Sequence, residues 1–158
     1  MARLLFICPD CNLEVPLREI YGGNSVCLTA LGTAFDLTEF EFMEEVNQII
    51  INENINEIVL VNDHACTFTK SAIMGTNRFD TNAEHILLDI VNNNPDIKNV
   101  QNEQLKAKEI SKANIRRLAS ELSESAFIGS KINNGEIVMK AIIYNREDGS
   151  IQDTRIQD

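Results

Sequence analysis

Cys8 and Cys66 each follow directly on a short apolar run. Residues 3–7 (RLLFI) lead into Cys8-Pro9-Asp10-Cys11, and residues 57–61 (EIVLV) lead into Asn62-Asp63-His64-Ala65-Cys66. Thiolate, imidazole and carboxylate are the ligand types of zinc. Runs of this kind read as buried strands of a parallel sheet, and such sheets gather ligands beyond the carboxyl ends of their strands. If the two strands are neighbours, Cys8 and Cys66 supply two ligands, His64 or Asp63 a third, and Asp10 a fourth. A single buried cysteine is more often a core residue than a ligand. It is the shared position of the two, each just past a strand, that favours a metal site.

Other motifs carry less. Cys8-Pro9-Asp10-Cys11 has the spacing of a redox dithiol or of half a four-cysteine zinc site. The redox reading needs a helix starting at the first cysteine, and residues 12–16 (NLEVP) do not read as one. A second Cys-x-x-Cys is absent from the sequence. His85 falls on the polar flank of a helical stretch and reads as a surface histidine. Gly22-Gly23-Asn24 reads as a turn, because a strand rather than a helix follows, which argues against a phosphate cradle. Walker, dinucleotide and nucleophile-elbow fingerprints are also missing.

The elements that must position these residues alternate between the two structural periods. Strands are expected at 3–7, 25–31, 57–61 and 136–144, and Asp148-Gly149 turns the chain into an antiparallel edge at 150–152. Thr38-x-x-Glu41 and Thr81-x-x-Glu84 have the pattern of capping boxes opening helices. Residues 92–104 read as a polar loop, 111–122 as a helix, 125–133 as a shorter one and 153–158 as a frayed tail. The expectation is one α/β domain over residues 1–158, with a mainly parallel four-stranded sheet flanked by helices. Strands one and three should be adjacent.

The chain has 158 residues and a formal charge of −10, from 24 acidic against 14 basic side chains. That balance disfavours nucleic acid and anionic membrane as partners. The apolar start is too short for a signal peptide and runs straight into Cys-Pro-Asp, so it reads as a strand. Four cysteines without a secretory signal fit a reducing cytoplasm.

Taken together, these stretches resemble the β-class carbonic anhydrases. That family carries Cys-x-Asp-x-Arg after its first strand, an Ala-Gly-Asn turn, then a helix, a strand and Gly-His-x-x-Cys-Gly. The corresponding segments here are Cys8-Pro9-Asp10-Cys11-Asn12, Gly22-Gly23-Asn24, the helix at 38–53 and Asn62-Asp63-His64-Ala65-Cys66-Thr67. The resemblance implies a Zn2+ ion on Cys8 and Cys66, carbon dioxide and bicarbonate as the small-molecule substrate pair, and a homodimer. It also implies hydration of CO2 by a zinc-bound hydroxide, with Asp10 contacting the bound water.

Two departures bear on mechanism. The family's histidine position falls on Asp63, with His64 one residue late, and its arginine position is Asn12, which cannot hold Asp10 off the metal. Three functions therefore compete. One is a zinc lyase with an open coordination position. The second is a catalytically degenerate homologue with a closed structural zinc site, acting as a binding or regulatory module. The third is a metal-free scaffold with buried cysteines. Phe35, Phe40 and Phe42 are expected to pack either in the core or on a partner.

Overall fold

The computed structural model describes residues 1–154 and residue 156. Its centre is a five-stranded sheet in the order β2-β1-β3-β4-β5. The strands are β1 (Ala2–Ile7), β2 (Ser25–Thr29), β3 (Ile55–Asp63), β4 (Val138–Asn145) and β5 (Ser150–Asp153). The first four are mutually parallel, and β5 pairs antiparallel to β4. This is the expected α/β architecture with its antiparallel edge. Strands β1 and β3 are neighbours, with Leu4 opposite Ile58 and Phe6 opposite Leu60.

The apolar runs are continuous because both faces of the sheet are covered. Leu5, Ile7, Val59 and Val61 pack on one side with Leu87, Ile90 and Ile110. Leu4, Phe6, Ile58 and Leu60 pack on the other with Val46, Ile115, Leu118 and Leu122. Successive residues of β1 and β3 thus serve opposite cores, the period of two expected of a strand.

The helices are α1 (Glu14–Tyr21), α2 (Phe40–Asn52), α3 (Thr67–Ile73), α4 (Asn82–Asn93), α5 (Pro95–Lys98), α6 (Glu103–Glu124) and α7 (Gly129–Asn133). Helix α1 corrects the reading of 12–16 as non-helical. Pro16 lies in its first turn, where the missing N–H has no helical acceptor to lose. Thr81 and Glu84 form the expected capping box, with both reciprocal bonds present. Thr38 does not: its hydroxyl donates to Asp36 at 2.6 Å, and α2 starts two residues later without a side-chain cap.

The tract 92–104 is also more ordered than its composition suggests. It holds α5 and the start of α6, where the Asn102 side chain accepts from the N–H of Leu105 at 2.8 Å. Asp153, read as the start of a frayed tail, ends β5, and the N–H of Thr154 donates to the carbonyl of Ala141. For the rest of that tail, residues 155, 157 and 158 lie outside the described residues. Phe42 stacks on Phe35, which meets Phe6 edge-on in the core. Phe40 is 68% exposed and touches Phe127.

Candidate metal centre

Strand β2 lies on one side of β1 and β3 on the other, so the sheet reverses its winding between β1 and β3. Ligand sites in open α/β sheets form at such a reversal, past the carboxyl ends of the strands. Cys8 is the first residue after β1. The chain then makes a single 3-10 turn, Pro9–Cys11, in which the Cys11 N–H donates to the Cys8 carbonyl at 3.2 Å. Asn12 ends the turn in the left-handed conformation, φ 52°. The effect is to fold Cys11 back toward Cys8. Cys66 stands at the N-terminus of α3, three residues after β3, and its N–H donates to the carbonyl of Asp63 at 3.0 Å.

These turns bring three thiols together. The Sγ atoms of Cys8, Cys11 and Cys66 all lie within 4.8 Å of one another, and those of Cys8 and Cys66 are 3.7 Å apart. The three residues are 2%, 3% and 2% exposed. A fourth contact comes from the backbone: Gly32 donates its N–H to Cys8 Sγ at 3.1 Å. Gly32 has φ 63°, and a Cβ there would fall 2.7 Å from Leu87 Cδ1. Only glycine fits that approach without displacing a neighbour.

The Gly32 segment is itself fixed. Thr33 donates its hydroxyl to the Val61 carbonyl at 2.9 Å, and Asn114 of α6 donates its amide to the Thr33 carbonyl at 3.1 Å. Helix α6 thereby fastens the loop to the end of β3.

Crowding three thiols together drives their acidities apart. Hydrogen bonds from the Cys11 and Cys66 thiols, together with the Gly32 N–H, pull the Cys8 thiol far below its ordinary range. Contact with Cys66 and Cys8, then burial, pushes the Cys11 thiol up. For Cys66, contact with Cys11 pulls down, but contact with Cys8 and burial prevail and the net direction is up. Of the three, Cys8 is the thiol drawn toward the thiolate form, and its neighbours are pushed the other way.

Arg146 reaches the cluster from the turn after β4. Its Nε donates to Asp63 Oδ2 at 2.6 Å, and its Nη2 lies 3.0 Å from the Ala65 carbonyl and 3.7 Å from Cys11 Sγ. The Asp63 side chain is fully buried, and its other oxygen accepts the Ala65 N–H at 2.8 Å.

Of the residues singled out in the sequence, the structure brings Cys8 and Cys66 together. The third thiol beside them is Cys11, and the group contains neither His64 nor Asp63. Asp63 is engaged by Arg146. His64 is partly buried and lines a separate cavity of about 380 Å³ with Lys108, Ile143 and Gln152. Asp10 is exposed on the 3-10 turn and is not part of the group. His85 is at the surface, 3.0 Å from Asp80. The Cys-x-x-Cys spacing was the signal for Cys11. Arg146 had no local signal, since its partners lie more than 80 positions away.

No family model matches this chain, and no curated protein matches it in sequence. Solved structures do. A β-carbonic anhydrase of the fungal pathogen Aspergillus fumigatus superposes with a TM-score of 0.85 at 9% identity, over 99% of this chain and 76% of its own. One of two tetrameric β-carbonic anhydrases from Sordaria macrospora gives 0.80 at 15% identity, over 96% and 79%. The Coccomyxa β-carbonic anhydrase in complex with acetazolamide gives 0.77 at 12%, over 96% and 70%. At such identities the likeness is one of fold.

Proposed function

We propose that this chain, with the fold of a β-carbonic anhydrase, is a zinc-binding protein whose ion is held by Cys8, Cys11 and Cys66. The convergence of their three Sγ atoms within 4.8 Å is the observation that carries the reading. The spacing suits the ion. Zn–S bonds of about 2.3 Å put the sulfurs of a tetrahedral site about 3.8 Å apart, against 3.7 Å for Cys8 and Cys66. The donor set suits it as well, since thiolates select soft ions. Bound zinc supplies Lewis acidity and makes a water in its remaining position more acidic.

The protein's own groups temper that chemistry. Three thiolates outweigh the charge of a divalent ion, so a water there ionises less readily than at a centre with a neutral imidazole. The Gly32 N–H and the Arg146 guanidinium take up part of the sulfur charge. Asp63 is held by Arg146 and the Ala65 N–H, and Asp10 faces solvent. In this reading carbon dioxide and bicarbonate are slow substrates and the centre is chiefly structural. A homodimer in a reducing cytoplasm, where the thiols stay free to bind, belongs to the same proposal.

Elemental analysis of the full chain, purified without chelator, tests it. The expected result is one zinc per chain, lost in Cys11→Ser and kept in His64→Ala, with far-UV circular dichroism confirming that both variants fold. Zinc-free protein, or zinc retained by folded Cys11→Ser, overturns the ligand assignment. Stopped-flow CO2 hydration by the zinc-loaded chain should stay near the buffer rate. A large acceleration refutes the structural role.

A further inference from the structure

We propose that the Cys8, Cys11 and Cys66 thiols form a three-coordinate site for trivalent arsenic, taken up as arsenous acid. The inference rests on the thiol triad but not on zinc occupancy.

The first argument is ligand number. Among the described residues these three form the only group of three or more metal-ligating side chains whose donor atoms converge. The neighbouring acids are engaged or distant. Both Asp63 oxygens are hydrogen-bonded, one to Arg146 and one to the Ala65 N–H. Asp10 is exposed, and His64 lines a separate cavity. Zinc needs a fourth ligand to complete its tetrahedron. Trivalent arsenic does not: it forms three bonds, and its lone pair takes the fourth direction.

The second argument is charge. A divalent ion on three thiolates leaves one net negative charge at residues only 2–3% exposed, which the Gly32 N–H and Arg146 offset only in part, and charge left unbalanced in so buried a place is costly. Arg146, whose Nη2 lies 3.7 Å from Cys11 Sγ, is already paired with Asp63. An arsenic tris-thiolate is neutral and avoids that cost. The reaction balances without a redox step. Three S–H bonds and three As–OH bonds break, three As–S bonds form, and three water molecules leave. If Cys8 starts as thiolate, solvent supplies the one missing proton. Arsenous acid is uncharged at neutral pH, so a chain of net charge −10 does not repel it.

The test is titration of the full chain with sodium arsenite under reducing conditions, read by native mass spectrometry and by near-ultraviolet As–S absorption. The expected product is a 1:1 adduct in which three waters have been lost. Losing one leg of a three-point attachment costs about a hundredfold or more in affinity. Cys11→Ser and Cys66→Ser should each weaken binding by at least that factor. Cys27→Ser, a cysteine outside the triad, should leave it unchanged and serves as a folded control.

An adduct that retains one hydroxyl, with only two waters lost, overturns the proposal. So does affinity insensitive to Cys11→Ser, or no binding at all. Phenylarsine oxide, which can engage only two thiols, should lack the dependence on the third cysteine. Zinc binding without arsenite binding sinks this inference and leaves the proposed function standing. Arsenite binding without zinc binding does the reverse.

Discussion

Replacing Arg146 by methionine keeps much of the side-chain length and removes the guanidinium. Asp63 is fully buried, and its Oδ2 then loses a charged donor at 2.6 Å. Removing one partner of a buried ion pair costs about 3–5 kcal/mol. Two features lower that figure here. Arg146 is one-third exposed, so solvent screens the pair, and Asp63 keeps the Ala65 N–H. The expected loss is about 2–3 kcal/mol.

Asp63→Asn leaves no buried charge and should cost only about 1 kcal/mol. The double variant should resemble Asp63→Asn, giving a coupling of about 2–3 kcal/mol, the whole of the Arg146→Met loss. Urea unfolding of all four proteins at neutral pH, chelator present throughout, measures the cycle. With a slope of about 2 kcal/mol per molar urea, Arg146→Met should lower the midpoint by about 1 M. Equal losses from the two single variants, or additive losses in the double, would refute the claim that a buried carboxylate depends on this arginine.

Two further outcomes follow from the same structure. Gly32→Ala places a Cβ 2.7 Å from Leu87 Cδ1 at φ 63°, so overpacking and backbone strain together should cost about 2–4 kcal/mol in urea unfolding. Because Gly32 also donates to Cys8, the variant should weaken zinc retention in a chelator competition. The buried Glu57 carboxylate lies between Arg3 and Lys140. Burial pushes its pKa up, but the ammonium of Lys140 and the guanidinium of Arg3 outweigh it, and the net direction is down. Glu57 thus contributes stability above the ordinary glutamate value of 4.5 and loses it as pH falls through the lower folded value. Urea midpoints measured across the acid range should fall more steeply for the native chain than for Glu57→Gln.

Local pattern proved informative where one segment could satisfy it alone, and misleading where a neighbour intervened. Thr38 and Thr81 head the same Thr-x-x-Glu pattern, yet only Thr81 caps its helix. The difference is Asp36, which claims the Thr38 hydroxyl and N–H. Pro16 closes the stretch 12–16 that reads as non-helical, but in the first turn of α1 it costs no hydrogen bond. The asparagine-rich tract before α6 looked irregular because the signal for that helix is one side chain, Asn102, capping its start.

Short apolar runs bounded by turn residues are what strands covered on both faces require, so the order of residues alone marked β1 and β3 and placed Cys8 and Cys66 just past their carboxyl ends. Tertiary structure decided which side chain joins them. A 3-10 turn closed by left-handed Asn12 swings Cys11 into the cluster. Arg146, 83 positions from Asp63 and 135 from Cys11, arrives on the far side of β3 to hold that carboxylate. Periodicity records which face of an element is buried. It carries no record of which side chains from distant turns share a point in space, because that depends on strand order and on the path of every connection between them.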